Sequence, residues 1–150
     1  MEKKFIHLFR ETIRIFDREL FYQNNASCCN GISVAQCHTL LEIEMNHEIS
    51  VSELATNLSL DKSTVSRTVD GLVNISLVDR VTPKENRRKA LLNLTENGRK
   101  VCSTINFTND LYIKTVLKDF TREEREEFLR LFAKLSSNME ELRRSSEAGS

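Results

Sequence analysis

Four cysteines supply the first candidate chemistry in this 150-residue sequence, and three of them lie close together. Cys28, Cys29 and Cys37, here called the cysteine trio, fall within ten residues, whereas Cys102 stands apart. Adjacent Cα atoms are about 3.8 Å apart, which is shorter than the usual disulfide range of about 4.4–6.8 Å. Cys28 and Cys29 are therefore poorly suited to bridge each other, and each is expected to need another partner.

The cysteine trio has the composition of a soft metal site. Cys37 is predicted to lie one turn into a helix, and the Asn30-Gly31 turn could fold the two preceding cysteines back towards it. A helix N-terminus favours thiolates, which bind thiophilic ions. The candidate ions are arsenic(III), antimony(III), copper(I) and zinc, with Cys102 or His38 as a fourth ligand for tetrahedral zinc.

Two other interpretations of the cysteines stay open. In an oxidant sensor, Cys29 would be oxidised and then resolved by Cys37 or by a cysteine of a second chain. Alternatively the thiols only pack. Ile32 and Cys37 have the spacing of a hydrophobic staple, which fixes a helix entry, and Cys102 could be a core residue.

Composition predicts a mostly helical single domain. The chain has only four Gly and one Pro, and its formal net charge is zero. No apolar run is long enough to be a signal peptide or a membrane span, so we expect a cytoplasmic protein without membrane contact. The sequence contains no glycine-rich phosphate loop, HExxH or CxxC motif, which argues against an enzyme.

Helical periodicity and capping motifs divide the chain into elements. Three Ser/Thr-x-x-Glu/Gln capping boxes start at Ser33, Ser50 and Thr121, and the first predicts a helix over 34–45. Asp61 and Thr95 are predicted to cap two further helices. Between these helices, LVDRVT and ALLNLT are β-prone runs around a basic loop, as in a hairpin.

The helix after Asp61 has the polar outer face that DNA recognition requires. Two helices joined by a tight turn and followed by a basic hairpin form a winged helix-turn-helix. Arg67 could contact a guanine bidentately, and Ser63 is better placed for phosphate. The predicted DNA-binding residues lie on this helix and on the wing: Lys62, Ser63, Thr64, Ser66, Arg67, Lys84, Arg87, Arg88 and Lys89.

The order of these motifs resembles the MarR-type transcriptional regulators. DKSTVSRTVDGLVNISLVDR followed by NRRKALLNLTENG is similar to their recognition helix and wing, and TREEREEFLRLFAKL to their closing dimerisation helix. The resemblance covers about residues 4–142. It implies that Arg87 or Arg88 enters a minor groove. The family usually has an acidic residue at the position of Asn86 and Gly, in left-handed backbone, at Ser76.

The expected architecture is mainly α with a small β-hairpin wing. A single domain over 1–144 would hold a winged helix-turn-helix lobe at about 33–96 and dimerisation helices at about 3–22 and 97–144, with a disordered tail at 145–150. Unpartnered apolar stripes at both chain ends predict a helical dimerisation layer rather than a monomeric bundle. The predicted dimerisation residues are Phe5, Phe9, Phe128, Leu131, Phe132 and Leu135.

The resemblance implies a homodimer that binds a pseudo-palindromic operator in double-stranded DNA, as a repressor released by an effector. Such regulators are controlled between their DNA-binding and dimerisation layers, and all four cysteines fall on elements that border this region. The effector could be a thiophilic ion, an oxidant or an organic ligand with incidental cysteines. A protein-interaction winged helix that does not bind DNA is the remaining alternative.

Overall fold

The structure is a computed structural model that describes residues 2–26, 31–82 and 90–148. Within these ranges the chain forms six helices and three short strands. In chain order they are α1 (Lys3–Ala26), α2 (Val34–Asn46), β1 (Ile49–Ser50), α3 (Val51–Leu58), α4 (Lys62–Asn74), β2 (Val78–Val81), β3 (Leu91–Leu94), α5 (Glu96–Val116) and α6 (Arg122–Ala148). The mainly α fold with a hairpin wing is therefore confirmed. None of the helices in the described ranges is both long and apolar enough to cross a membrane.

All three predicted capping boxes are present, at Ser33–Gln36, Ser50–Glu53 and Thr121–Glu124. In the first, the Ser33 backbone N–H donates to Gln36 Oε1 at 2.9 Å and the Gln36 N–H donates to Ser33 Oγ at 3.2 Å. Each box satisfies two backbone donors that the helix itself leaves unpaired. The sequence therefore fixes where α2, α3 and α6 begin.

The hydrophobic core lies among α2, α3, α4, the sheet and the first half of α5. Its fully buried large side chains include Leu40, Ile43, Leu54, Val65, Val69, Leu72, Val78, Leu92 and Ile105. On α4, Val65, Val69 and Leu72 are buried and Val73 is half-buried. Burying a Val or Leu side chain stabilises the fold by about 1.5–3 kcal/mol, so this core holds α4 firmly in the lobe.

The sheet has one strand more than the sequence predicted. The β2–β3 hairpin is antiparallel, with Val78 opposite Leu94 and Val81 opposite Leu91. On the other side of β3, Ile49 of β1 pairs with Leu92, which gives the strand order β1-β3-β2. A two-residue strand has too little alternation to be recognised in sequence, and its place is decided by pairing to β3.

The chain divides into two compact units, Met1–Asp110 and Leu111–Ser150. The first contains α1, the helix-turn-helix and the sheet. The second contains the end of α5 and all of α6, where Phe128 stacks on Phe132 at a ring-centroid distance of 5.5 Å.

The predicted disordered tail at 145–150 is wrong for its first four residues, because α6 continues to Ala148. The Ser145 hydroxyl donates to the Glu141 carbonyl at 2.9 Å, and the Ser146 hydroxyl donates to that of Leu142 at 3.0 Å. No Gly or Pro interrupts the helix before Gly149, so extending it costs little once it has formed. The first helix likewise runs to Ala26 rather than residue 22.

Candidate nucleic-acid interface

A left-handed residue makes the turn between α3 and α4 tight. Ser59 ends α3 with φ +56°, and the Leu60 N–H donates to the Ala55 carbonyl at 3.0 Å. Asp61 then caps α4 after only two intervening residues. A short polar residue tolerates left-handed backbone better than a branched one. The predicted helix-turn-helix is therefore present, with Leu54 of α3 and Val65 of α4 buried in its core.

The first two turns of α4 expose the predicted polar face. Lys62, Ser63 and Arg67 are exposed, and Thr64 and Ser66 are half-buried. This ridge of mostly short side chains, with Arg67 as a long donor, has the size that a major groove about 12 Å wide admits. That these residues contact DNA stays a prediction.

Asp61 gathers the polar groups at the start of α4 into one network. Its Oδ1 accepts hydrogen bonds from Ser63 Oγ at 2.5 Å and from the Thr64 N–H at 2.8 Å. Its Oδ2 accepts from Thr64 Oγ1 at 2.6 Å, and Arg67 Nη2 donates to the same Thr64 oxygen at 3.3 Å. The hydrogen bond from Ser63, followed by those from Thr64, holds the pKa of Asp61 far below its ordinary value.

The network also involves Ser63, which was predicted to bind phosphate. In the structure the Ser63 hydroxyl donates to Asp61, and a phosphate contact by Ser63 stays a prediction. Sequence reasoning treated Asp61 as a cap alone, although the D-x-S-T spacing could have indicated the network.

An ion pair connects α4 to the wing. Arg80 Nη2 on β2 lies 2.6 Å from Asp70 Oδ1 on α4, with 37% and 52% of the two side chains exposed. A pair this exposed contributes at most about 1 kcal/mol to stability. Sequence reasoning missed it. The predicted wing residues Lys84, Arg87, Arg88 and Lys89 lie outside the described residues, as does Asn86.

The junction between the wing and α5 depends on two backbone features. Ser76 has φ +58°, so the left-handed conformation expected at this position is confirmed. The Ser76 carbonyl accepts from Thr95 Oγ1 at 2.8 Å, and the Thr95 N–H donates to the Leu77 carbonyl at 3.1 Å. Thr95 Oγ1 also accepts from the Gly98 N–H at 2.9 Å, which confirms Thr95 as the cap of α5.

The two cysteines within the described residues are buried, Cys37 with 1% and Cys102 with 0% exposure. Ile32 packs against the cluster that Cys37 forms with Ile105, as a hydrophobic staple requires. Burial, together with the nearby charge of Glu44, raises the pKa of the Cys102 thiol to about 11. Cys102 is therefore a neutral thiol at ordinary pH.

The structure does not test the cysteine trio as a unit, since Cys28 and Cys29 lie outside the described residues. Among residues 2–26, 31–82 and 90–148, no three or more His, Cys, Asp or Glu side chains are grouped so as to hold a metal ion. The thiophilic site consequently stays a prediction.

Apolar side chains predicted for dimerisation are largely exposed in the single chain. On α1, Phe5 is 54% and Phe9 is 40% exposed. On α6, Phe128, Leu131 and Phe132 are exposed and Leu135 is half-buried. Large apolar faces of this kind mark interaction surfaces when they are contiguous.

Known proteins match both the sequence and the fold. Residues 32–90 match the model of the MarR family. An uncharacterized HTH-type transcriptional regulator from Bacillus subtilis, YdgJ, is 27% identical over 111 residues, which cover 74% of this chain and 68% of YdgJ. A MarR family protein from Bacillus stearothermophilus has the same fold with a TM-score of 0.82, at 23% identity over 93% of this chain and 98% of that one.

A DNA-bound structure is also similar. Streptococcus pneumoniae FabT in complex with DNA aligns with a TM-score of 0.79, at 20% identity over 92% of this chain and 99% of that chain. The family match lies on the helix-turn-helix and wing, where the polar ridge of α4 and the Asp61 network are found. MarR-family members are DNA-binding regulators of transcription and not enzymes. Residues 32–90 of this chain therefore match the MarR family of winged helix-turn-helix transcriptional regulators, and the chain shares the fold of solved MarR-family proteins.

Proposed function

We propose that this protein is a homodimeric repressor that places α4 in the major groove of a pseudo-palindromic operator. The observation that carries the proposal is the exposed polar ridge of α4, held on a buried core by Val65, Val69 and Leu72. Rigid support matters because a base contact requires a side chain to be held in one place. FabT, whose fold is similar, was solved in complex with DNA, which supports this use of the fold.

Arg67 is the residue proposed to read sequence. It is exposed on the second turn of α4, and its guanidinium carries five donors in a planar fork. A bidentate contact to guanine O6 and N7 discriminates against other bases by about 1–3 kcal/mol. Lys62 and the wing cations supply charge to the phosphates, which strengthens binding to any duplex.

Dimerisation gives the protein two such helices. The exposed apolar residues of α1 and of α6 would be buried against a second copy, which removes apolar surface from water at about 25 cal/mol per Å². A twofold dimer reads two half-sites when its recognition helices are about 34–36 Å apart, one turn of DNA. An effector that changes this spacing would release the operator without unfolding the protein.

The proposal is tested by measuring Kd for selected and scrambled duplexes over a series of salt concentrations. Arg67→Ala is expected to reduce the preference for the selected sequence, because it removes a base contact. The control Arg122→Ala removes the same charge from an exposed position on α6, where Arg122 pairs with Glu126. It should leave the preference unchanged.

The wing gives a second, different signature. Arg88→Ala should weaken binding to all duplexes alike and reduce the salt slope by about one, since a phosphate or minor-groove cation releases counterions rather than reading bases. Equal binding by the wild type and both variants would contradict the proposal. Failure of any duplex to bind at low salt, while a protein co-purifies, would favour a protein-interaction winged helix.

We further propose that the effector is a thiol-reactive species that acts at Cys28 and Cys29. The buried position of Cys37 favours a packing role for that residue, so the two adjacent cysteines would carry most of the reactivity. The test is metal analysis and thiol counting on anaerobically purified protein, followed by DNA release with arsenite, copper(I), zinc or peroxide. If every such release survives in Cys28→Ser/Cys29→Ser/Cys37→Ser, the thiol-sensor proposal is wrong.

A further inference from the structure

We propose that Asp61 and Thr64 are positioning residues that hold Arg67 in its reading orientation, so that an acidic residue at the DNA interface increases sequence specificity. The inference rests on the proposed function, because it assigns a cause to the specificity of Arg67. It differs from the prediction made from sequence, in which Thr64 contacts DNA directly and Asp61 only caps α4.

The directions of the hydrogen bonds carry the inference. A hydroxyl has one proton and two lone pairs. The Thr64 proton is donated to Asp61 Oδ2 at 2.6 Å, so a lone pair of the same oxygen is left to accept from Arg67 Nη2 at 3.3 Å. A Thr64 hydroxyl without Asp61 could rotate its proton towards Arg67, where it would repel the guanidinium. Asp61 therefore decides which way Thr64 presents its oxygen.

The contact leaves the reading face of Arg67 available. Only one of the five guanidinium N–H groups is directed at Thr64, and the four that remain include the pair needed for a guanine edge. Arginine loses much rotamer freedom when it binds. The contact with Thr64 restricts the Arg67 side chain before DNA binds, and this reduces the loss of rotamer freedom on binding. That is the general benefit of preorganisation.

Asp61 should have opposite effects on specific and non-specific binding. Its carboxylate is exposed on the face that would meet the phosphates, so its charge weakens binding to every duplex. Its hold on Thr64 strengthens only the contact that depends on base identity. Removing the charge is thus expected to increase affinity for scrambled DNA and decrease discrimination, a combination that mere loss of folding does not produce.

Asp61→Asn separates these roles because Asn caps helices about as well as Asp. The amide oxygen can replace Oδ1, which accepts from the Thr64 N–H and from Ser63. The amide nitrogen would replace Oδ2, and it cannot accept the Thr64 proton. Thr64→Val removes the hydroxyl without changing charge, and Thr64→Ser restores it. Thr68→Val is the matched control, since it deletes a hydroxyl of the same helix, which donates to the Thr64 carbonyl at 3.1 Å, and leaves the path from Asp61 to Arg67 intact.

The measured quantity is the ratio of Kd for scrambled duplex to Kd for the selected operator, at one salt concentration, in full-length protein whose folding is checked by circular dichroism. Thr64→Val and Asp61→Asn should each lower this ratio roughly three- to tenfold, the effect of one hydrogen bond. Asp61→Asn should also bind scrambled duplex more tightly than wild type. Thr64→Ser and Thr68→Val should keep the ratio within about twofold.

Two results would overturn the inference while leaving the proposed function standing. In one, the Kd ratio falls below its wild-type value in Arg67→Ala but stays at that value in Thr64→Val and Asp61→Asn. The other is an equal fall in Thr68→Val, which would mean that the loss of any hydroxyl from α4 has the same effect. If instead the wild type shows no preference for any duplex, the proposed function fails and the inference fails with it.

Discussion

Gly98 is a position where adding one methyl group should strongly lower the free energy of unfolding. It lies in the first turn of α5, directly against the wing junction. A Cβ at this position would lie 2.1 Å from the Leu77 carbonyl oxygen and 3.1 Å from the Leu77 carbonyl carbon. Ordinary contacts between carbon atoms are about 3.5–4.0 Å, so Gly98→Ala forces backbone atoms to move by roughly 1 Å or more.

The loss of stability in Gly98→Ala can be estimated from the hydrogen bond that the Leu77 carbonyl accepts. Leu77 O accepts from the Thr95 N–H at 3.1 Å, and displacing it loses about 1 kcal/mol of hydrogen bonding. Overpacking a well-packed site costs about 1–3 kcal/mol, and the contact with rigid backbone places Gly98 in the upper part of that range. Replacing Gly by Ala in a helix returns about 1 kcal/mol. The free energy of unfolding should therefore fall by about 2–3 kcal/mol.

Urea denaturation at one fixed protein concentration measures this change, since the stability of a dimer depends on concentration. Gly71→Ala is the matched control. Its added Cβ would meet only Gln36 Nε2, at 3.0 Å, which is the movable end of a side chain. Gly71→Ala should change the free energy of unfolding by less than about 1 kcal/mol. Equal stability of the two variants would refute the steric reasoning.

Four further outcomes are expected. Ser76→Gly should raise the free energy of unfolding by about 0.5–1 kcal/mol in the same assay, because left-handed backbone strains Ser but not Gly; a loss of stability would contradict this. Asp70→Asn should lower it by no more than about 1 kcal/mol, less in high salt, since the Arg80 ion pair is exposed; an effect independent of salt would argue against a Coulombic origin. Cys102 should react with a disulfide reagent only as the protein unfolds. Rapid labelling of Cys102 at pH 8 would be inconsistent with its burial. Because folding raises the pKa of the Cys102 thiol from 9.0 to about 11, the stability that this thiol contributes below pH 9 should be lost as the pH rises towards 11. Phe132→Asp should shift the proposed dimer to monomer in analytical ultracentrifugation, and a dimer that persists in this variant would place the interface elsewhere.

Local signals were the reliable part of the sequence. Capping boxes depend on side chains three residues apart, so Ser33, Ser50 and Thr121 revealed helix starts without any knowledge of the fold. The polar ridge of α4 was equally visible, since helical periodicity separates Val65 and Val69 from Arg67. The end of α6 was predicted too early, because a polar and small composition was taken for disorder although nothing in it stops a helix.

Contacts between distant positions were beyond the sequence. Asp70 and Arg80 are both ordinary surface residues until the wing folds against α4. Burial, and after it the charge of Glu44, raises the pKa of Cys102 only because α2 packs beside α5, where Asn106 also donates to Glu44 Oε2 at 2.9 Å. The packing role of Cys37 needed both the local staple with Ile32 and the distant Ile105.

The sequence by itself determined the helices, their caps, the helix-turn-helix and the basic composition of the wing, because each depends on residues within one or two turns of each other. The tertiary structure decided β1, the ion pair between α4 and the wing, the burial of the thiols and the closeness of Gly98 to Leu77. The network at the start of α4 depends on both the sequence and the three-dimensional structure. Asp61, Thr64 and Arg67 are three residues apart in sequence, but only the three-dimensional arrangement shows which oxygen accepts which proton.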